Sequence, residues 1–177
     1  MIGVLVSGEG SNLQALIDAG LPIAAVASNR PSVRALERAE AAGIPARAFE
    51  LDRYSDRAAR DRELADWLLP RGVDLVVLAG YMHLLTPPFL DRFPDRIVNV
   101  HPSMLPAFPG AHAIADALAA GVETTGVTIH FVDEGLDTGA VLRQVPVSVE
   151  PRATLVERIH DVEHRLLPEV VRELCAH

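Results

Sequence analysis

Asn99, His101 and Asp137 offer an amide, an imidazole and a carboxylate within one stretch of the chain. Together these groups suit acyl transfer. A tetrahedral intermediate places negative charge on oxygen, which needs a hydrogen-bond donor, and a proton must move between the attacking and leaving groups. Asn99 supplies a neutral donor. The imidazole of His101 carries a proton readily near neutrality, and a carboxylate at Asp137 favours its charged form or orders a water that shuttles the proton. Asn99 and His101 lie two apart on an apolar run, residues 96–100, so both side chains leave the same face of a strand. Pro102 cannot continue the ladder, which puts the pair at the strand's carboxyl end. Ligands bind at that edge in open α/β sheets. Asp137 falls in the Gly-flanked turn Gly135-Leu136-Asp137-Thr138-Gly139, where neither helix nor strand fixes its direction. Read singly, His101 is also a strand-end residue capping a turn, and Asp137 an Asx-turn residue in a hairpin. Ser103 offers a nucleophile close to His101, but no Gly-x-Ser-x-Gly elbow surrounds it. His130, in the strand pattern 128–132, is read equally as a half-buried strand residue or as a neighbour of the site.

A second feature with chemical meaning is Gly8-Glu9-Gly10-Ser11-Asn12, between an apolar run and a helical pattern. Small residues there bring backbone N–H groups close to an anion, and the helix dipole favours negative charge. The same segment also fits a tight turn with Ser11 or Asn12 as N-cap. A third glycine and a Gly-Lys-Ser/Thr are both missing, so neither a dinucleotide fingerprint nor an ATP-binding P-loop is present. Metal chemistry finds no support. The chain has one cysteine, Cys175, and His160 and His164, the helical i, i+4 pair, lack the Glu of a zinc protease motif.

The elements that must carry these residues follow from hydrophobic periodicity. Strands are expected at 2–6, 23–28, 46–49, 75–78 and 97–100, with helices at 12–19, 33–42, 55–69 and 88–93 between them. Alternation of this kind gives parallel strands with helical crossovers. A helix at 113–119 follows, then two alternating runs, 125–132 and 140–147. These fit an added antiparallel pair with Asp137 in its connecting turn. The segment 154–174 has a helical apolar stripe through Leu155, Ile159, Val162, Leu166 and Leu167. The expected fold is a single α/β domain over 1–177, a three-layer α/β/α sandwich around a Rossmann-like, mostly parallel sheet. The chain's start reads as a first strand and not a signal peptide, and with the cysteine count this places it in the cytoplasm. No apolar run approaches the ~20 residues of a membrane helix. The net charge of −8 argues against a nucleic-acid surface. All 16 basic side chains are arginine, so any lysine role must be filled otherwise.

Asn99-x-His101-Pro102-Ser103, then Leu105-Pro106, then Leu136-Asp137-Thr138-Gly139 resembles the catalytic signature of the folate-dependent formyltransferases. The opening Ser7-Gly8-Glu9-Gly10-Ser11-Asn12-Leu13 is similar to the members that formylate glycinamide ribonucleotide. The resemblance covers nearly the whole chain and implies the formyltransferase fold, with 10-formyltetrahydrofolate as co-substrate and no metal. It assigns catalysis to Asn99, His101 and Asp137. It gives the ribonucleotide to Gly10, Ser11, Asn12, Leu13, His160 and Glu163. The folate goes to Arg62, Met82, His83, Leu84, Leu85, Asn99 and the turn Asp133, Glu134, Gly135, Leu136 and Asp137. The implied partners are small molecules only, for a monomer or homodimer that touches neither nucleic acid nor membrane. Three positions depart from the pattern: Glu9 where asparagine is common, His83 where arginine is, and His160 where lysine is. Rival readings are a formyltetrahydrofolate hydrolase, a sugar-nucleotide N-formyltransferase and a catalytically silent nucleotide- or folate-binding module. The first is expected to carry an extra N-terminal domain. A methionyl-tRNA formyltransferase is expected to need a C-terminal RNA-binding domain and a basic surface.

Overall fold

Residues Ile2–Val6 (β1), Ile23–Ser28 (β2), Ala46–Ala48 (β3), Leu75–Leu78 (β4), Ile97–His101 (β5), Thr124–Phe131 (β6) and Val141–Ser148 (β7) form one sheet in the order β3-β2-β1-β4-β5-β6-β7. The computed structural model describes residues 1–176. Strands β1 to β5 pair in parallel, and β6 is antiparallel to both β5 and β7. Helices Ser11–Asp18 (α1), Arg34–Ala41 (α2), Arg57–Leu68 (α3), Pro87–Leu90 (α4) and Ala113–Ala120 (α5) alternate with the strands, and Leu155–Cys175 (α6) closes the chain. Among the described residues no helix is long and apolar enough to cross a membrane.

Strand alternation divides the core between the two faces. Val4 and Val6 of β1 and Val98 and Val100 of β5 pack with Leu13 and Leu16 of α1 and with Leu155, Ile159 and Leu167 of α6. Leu5, Val76 and Ile97 pack on the other face with Leu64 and Leu68 of α3 and Phe89 of α4. Full burial of each such side chain contributes roughly 1.5–3 kcal/mol, so the sheet is a rigid floor for its carboxyl edge. Two expected elements are shorter than their patterns. The helix expected at 88–93 is the single turn α4, and the strand expected at 46–49 stops at Ala48, before buried Phe49. Conversely, β5 reaches His101, which pairs with Thr128.

One buried helix face carries charge. Arg60 and Asp61 share the inward stripe of α3 with Leu64, Ala65 and Leu68, and both are fully buried. The Arg60 Nε and Nη2 donate to Asp61 Oδ1 at 2.9 and 2.6 Å, and Asp61 Oδ2 accepts from the Thr86 backbone N–H and hydroxyl, each at 2.8 Å. A second buried polar contact joins α1 to α6: Asn12 Nδ2 donates to Glu163 Oε2 at 3.0 Å. Burial raises the Glu163 carboxyl above its ordinary value, against the lowering effects of the Asn12 hydrogen bond, His160 and His101.

Removing one partner of a buried, hydrogen-bonded ion pair strands the other, so Asp61→Asn should destabilise the fold by about 3–5 kcal/mol, read from urea denaturation midpoints. Glu163 has the opposite pH sign to a salt-bridged acid. Its folded form holds the proton more tightly than the unfolded chain, so it contributes a fall in stability as pH rises from 4.5 through the raised value. Glu163→Gln should flatten that fall, checked by denaturation at pH 5 and pH 8; parallel wild-type and variant curves would count against the assignment.

Candidate active site

The β5 register sets the first geometry. Asn99 pairs with His130 and His101 with Thr128 on antiparallel β6, so two site side chains on one strand face two on its neighbour. Asn99 Nδ2 donates to His130 Nε2 at 3.2 Å, which leaves its second N–H free. His130 Nδ1 lies 2.8 Å from the carbonyl of Phe131 and must carry the hydrogen there, so Nε2 is the accepting atom. Burial holds His130 below the usual imidazole range, against the raising effects of the Phe131 carbonyl and Asp137. His101, 4% exposed, is oriented from the opposite ring atom: Nε2 donates to the Phe108 carbonyl at 2.8 Å. Its Nδ1 therefore faces Asp137.

Asp137 reaches the group from the turn between β6 and β7. Its φ is +54°, a left-handed value that aspartate tolerates better than most residues. Oδ2 accepts the Gly110 backbone N–H at 2.7 Å and lies 3.5 Å from His101 Nδ1, and Oδ1 lies 3.6 Å from His130 Nε2. The turn braces itself, since Asp133 Oδ1 accepts from the Gly135 N–H at 2.9 Å and the Thr138 hydroxyl at 2.7 Å. At its base Gly139 runs against Phe131, where a Cβ would fall 1.8 Å from the carbonyl oxygen. Ser103 takes no part with the imidazole, because its hydroxyl donates to the Ala107 carbonyl at 2.5 Å.

Beside this triad lie the other two loops of the carboxyl edge. After β1, Gly10 (φ +75°) is the N-cap of α1 and no side chain caps that helix. The alternative reading, a turn capped by Ser11 or Asn12, is not found: Asn12 turns to Glu163, and its Oδ1 is buried without a partner. Glu9 points away from the helix N-terminus to Arg34 and Arg38 of α2, at 3.0 and 2.9 Å. After β4, Met82 and Leu84 are exposed and Leu85 is buried. In the turn after β6, Leu136 is exposed like Met82 and Leu84, and Asp133, Glu134 and Gly135 are also exposed.

Other expected residues are placed differently. Arg62 stands exposed on α3; the arginine that reaches the 82–85 loop is Arg60, whose Nη1 lies 2.5 Å from His83 Nδ1. His83 turns inward, its Nε2 3.2 Å from the Asn29 side chain. His160 is exposed on α6 and its ring stacks on His164 with centroids 6.0 Å apart. Sequence reasoning missed Arg60, Asp61, Asn29 and the backbone groups of Phe108 and Gly110. A signal existed for the first two: they occupy apolar-stripe positions of α3, where a charge needs a buried partner. No group of three or more His, Cys, Asp or Glu capable of holding a metal occurs among the described residues.

Residues 1–171 match the formyl transferase family. The chain is 39% identical to the phosphoribosylglycinamide formyltransferase of Bacillus subtilis over 97% of its own length and 92% of that protein's. It is 44% identical to the Mycobacterium tuberculosis enzyme of the same name, covering 98% of this chain and 84% of that one. The trifunctional purine biosynthetic protein adenosine-3 of Drosophila melanogaster is also 44% identical, but the chain spans only 14% of its length. Among solved structures, the phosphoribosylglycinamide formyltransferase of Streptococcus pneumoniae superposes with a TM-score of 0.94 at 44% identity, covering 98% of this chain and 97% of that one. A match over nearly the whole length, with relatives this similar in sequence and fold, means that the chain belongs to the formyl transferase family.

Proposed function

We propose that this chain transfers the formyl group of 10-formyltetrahydrofolate to the amino group of glycinamide ribonucleotide, in purine biosynthesis. The observation that carries this reading is the convergence of Asn99, His101 and Asp137 at the sheet's carboxyl edge, with Asp137 Oδ2 3.5 Å from His101 Nδ1. Two loops support it. The uncapped first turn of α1 suits the ribonucleotide phosphate, and the partnerless Asn12 Oδ1 beside Glu163 suits a ribose hydroxyl. The exposed apolar Met82 and Leu84 suit one face of a pteridine ring.

In this reading the amine nitrogen attacks the formyl carbon, and the carbonyl electron pair moves to oxygen. The free N–H of Asn99 and a protonated Nδ1 of His101 stabilise that oxygen. Asp137, directly or through a water, takes the proton lost by the amine. That same proton, passed on from Asp137 or the water to N10 of the folate, lets the carbon–nitrogen bond break as its electron pair leaves with N10, and the carbonyl re-forms on the product. His130 keeps Asn99 aimed and, being neutral, does not compete as an acid.

Purified protein with both substrates should give formylated ribonucleotide. The same mixture without ribonucleotide should leave the folate formylated; equal deformylation in both would identify a hydrolase. Asn99→Ala and His101→Ala should each lower turnover on the order of 10²-fold or more, and Asp137→Asn similarly without a change in melting temperature. A His101→Ala variant with near-wild-type kcat would overturn the mechanism.

His160 tests the ribonucleotide side separately. His160→Ala should raise KM for the ribonucleotide more than for the folate, and His160→Lys should restore it. Unchanged constants in both variants would remove His160 from the site.

A further inference from the structure

Beneath the 82–85 loop, between the neighbouring strands β1 and β4 where the chain's winding reverses, runs a continuous line of side chains. Asp61 holds Arg60, Arg60 Nη1 meets His83 Nδ1 at 2.5 Å, His83 Nε2 meets the Asn29 amide at 3.2 Å, and Asn29 meets Ser7 Oγ at 2.5 Å. The Met82 backbone N–H donates to the same hydroxyl at 2.8 Å, and Thr86 closes the loop's far end onto Asp61. His83 is thus the middle of three anchors.

Donor counting fixes its chemical state. A guanidinium has only N–H donors and does not lose its charge, so Nδ1 of His83 must accept. A neutral ring that accepts at Nδ1 carries its hydrogen at Nε2, and Asn29 must then turn its carbonyl oxygen to that hydrogen and its NH2 toward Ser7, which reverses the bond in which Ser7 donates to Asn29 and makes the Ser7 hydroxyl an acceptor from both Asn29 and Met82. Amide orientation is assigned by such networks; the opposite orientation lets Ser7 donate to Asn29 but sets an Nδ1 hydrogen against the Arg60 guanidinium. The charges around the ring agree. Burial, then Arg60, then Arg57 hold it below the ordinary imidazole range; Asp61 opposes them and Arg30 adds to them. Tyr81, in edge contact at 6.0 Å, adds no charge.

Resting on the function proposed above, we propose that His83 is a positioning residue which holds the folate loop only as a neutral, Nε2-protonated ring, and that protonation at Nδ1 releases the loop and weakens folate binding. A proton on Nδ1 would face Arg60 with no acceptor between them. The loop is therefore locked through the neutral range and loosens as pH falls below it, the sign expected when the folded state disfavours the charged form. An arginine at this position could not accept from Arg60, so the inward histidine gives this chain a loop anchor that titrates.

Nitrogen-15 NMR of the full chain with labelled histidine, from pH 5 to 8, reads the ring directly. At pH 7 His83 should show a bare Nδ1 and a protonated Nε2. Observation of the opposite tautomer, or of a cation, would overturn the proposal whatever the enzyme does. In kinetics, folate KM should rise about tenfold or more between pH 7.5 and 5.5, with a smaller change in kcat. His83→Gln, whose amide oxygen can accept from Arg60 and does not titrate, should lose that acid-side rise; His83→Leu should raise folate KM at every pH. Identical pH profiles for wild type and His83→Gln would sink the idea. Absence of transfer at any pH, with the tautomer as stated, would count against the proposed function and not against the ring's state.

Discussion

The backbone N–H of Gly110 donating to Asp137 Oδ2 at 2.7 Å is the contact on which the site's geometry depends. It joins the loop that follows β5 to the turn between β6 and β7. The 103–110 loop presents the Phe108 carbonyl to His101, and the 133–138 turn presents Asp137 to both histidines. The first loop is pinned from the sheet: Thr128 donates to the Ser103 carbonyl at 2.7 Å and accepts the Leu105 N–H at 3.2 Å, and Gln144 donates to the Leu105 carbonyl at 2.8 Å. Thr128 pairs with His101 on one side and Gln144 on the other. One cross-strand row of β5, β6 and β7 therefore fixes both the imidazole and the loop that orients it.

Two histidines beside one carboxylate invite confusion of roles, and their hydrogen-bond partners separate them. His130 gives its Nδ1 hydrogen to a main-chain carbonyl and accepts at Nε2 from Asn99. Its burial disfavours a charge, so it acts as a fixed acceptor. His101 gives its Nε2 hydrogen to Phe108 and leaves Nδ1 toward Asp137, the arrangement in which a second proton has a partner. The same residue type thus serves as a strut at one position and, in the proposed reaction, as a proton carrier at the other. The difference lies in which ring atom the backbone occupies.

Much of this was legible in the chain. Strand placement followed from β-branched runs, and Asn99, His101 and Asp137 were visible because a proline and two glycines mark where a strand must end and a turn must bend. Residues whose role depends on long-range packing were not. Arg60 and Arg62 differ in sequence only by position. Only the phase of α3 puts the first against His83 and the second in solvent, and that phase is blurred by a stripe carrying charge. Asn29 meets His83 and Ser7 meets the Met82 N–H from two strand ends, across 54 and 75 positions of sequence, a proximity that parallel topology creates and periodicity does not announce.

Electrostatics at the carboxyl edge follow from local partners and not from the net charge of −8. Glu9 would oppose an anion at the α1 N-terminus if it faced inward. Arg34 and Arg38 draw it outward instead, and the Arg38 Nε also donates to the Glu9 carbonyl at 2.9 Å. These are exposed pairs, worth little in stability. Their consequence is directional: they orient an acidic side chain away from the helix terminus, whose backbone N–H groups then set the local potential. Gly10 completes the arrangement, because a Cβ there would fall 2.6 Å from that of Ala35. The close approach of α2 to the loop that places Arg34 and Arg38 beside Glu9 is thus the same approach that requires glycine at the helix cap.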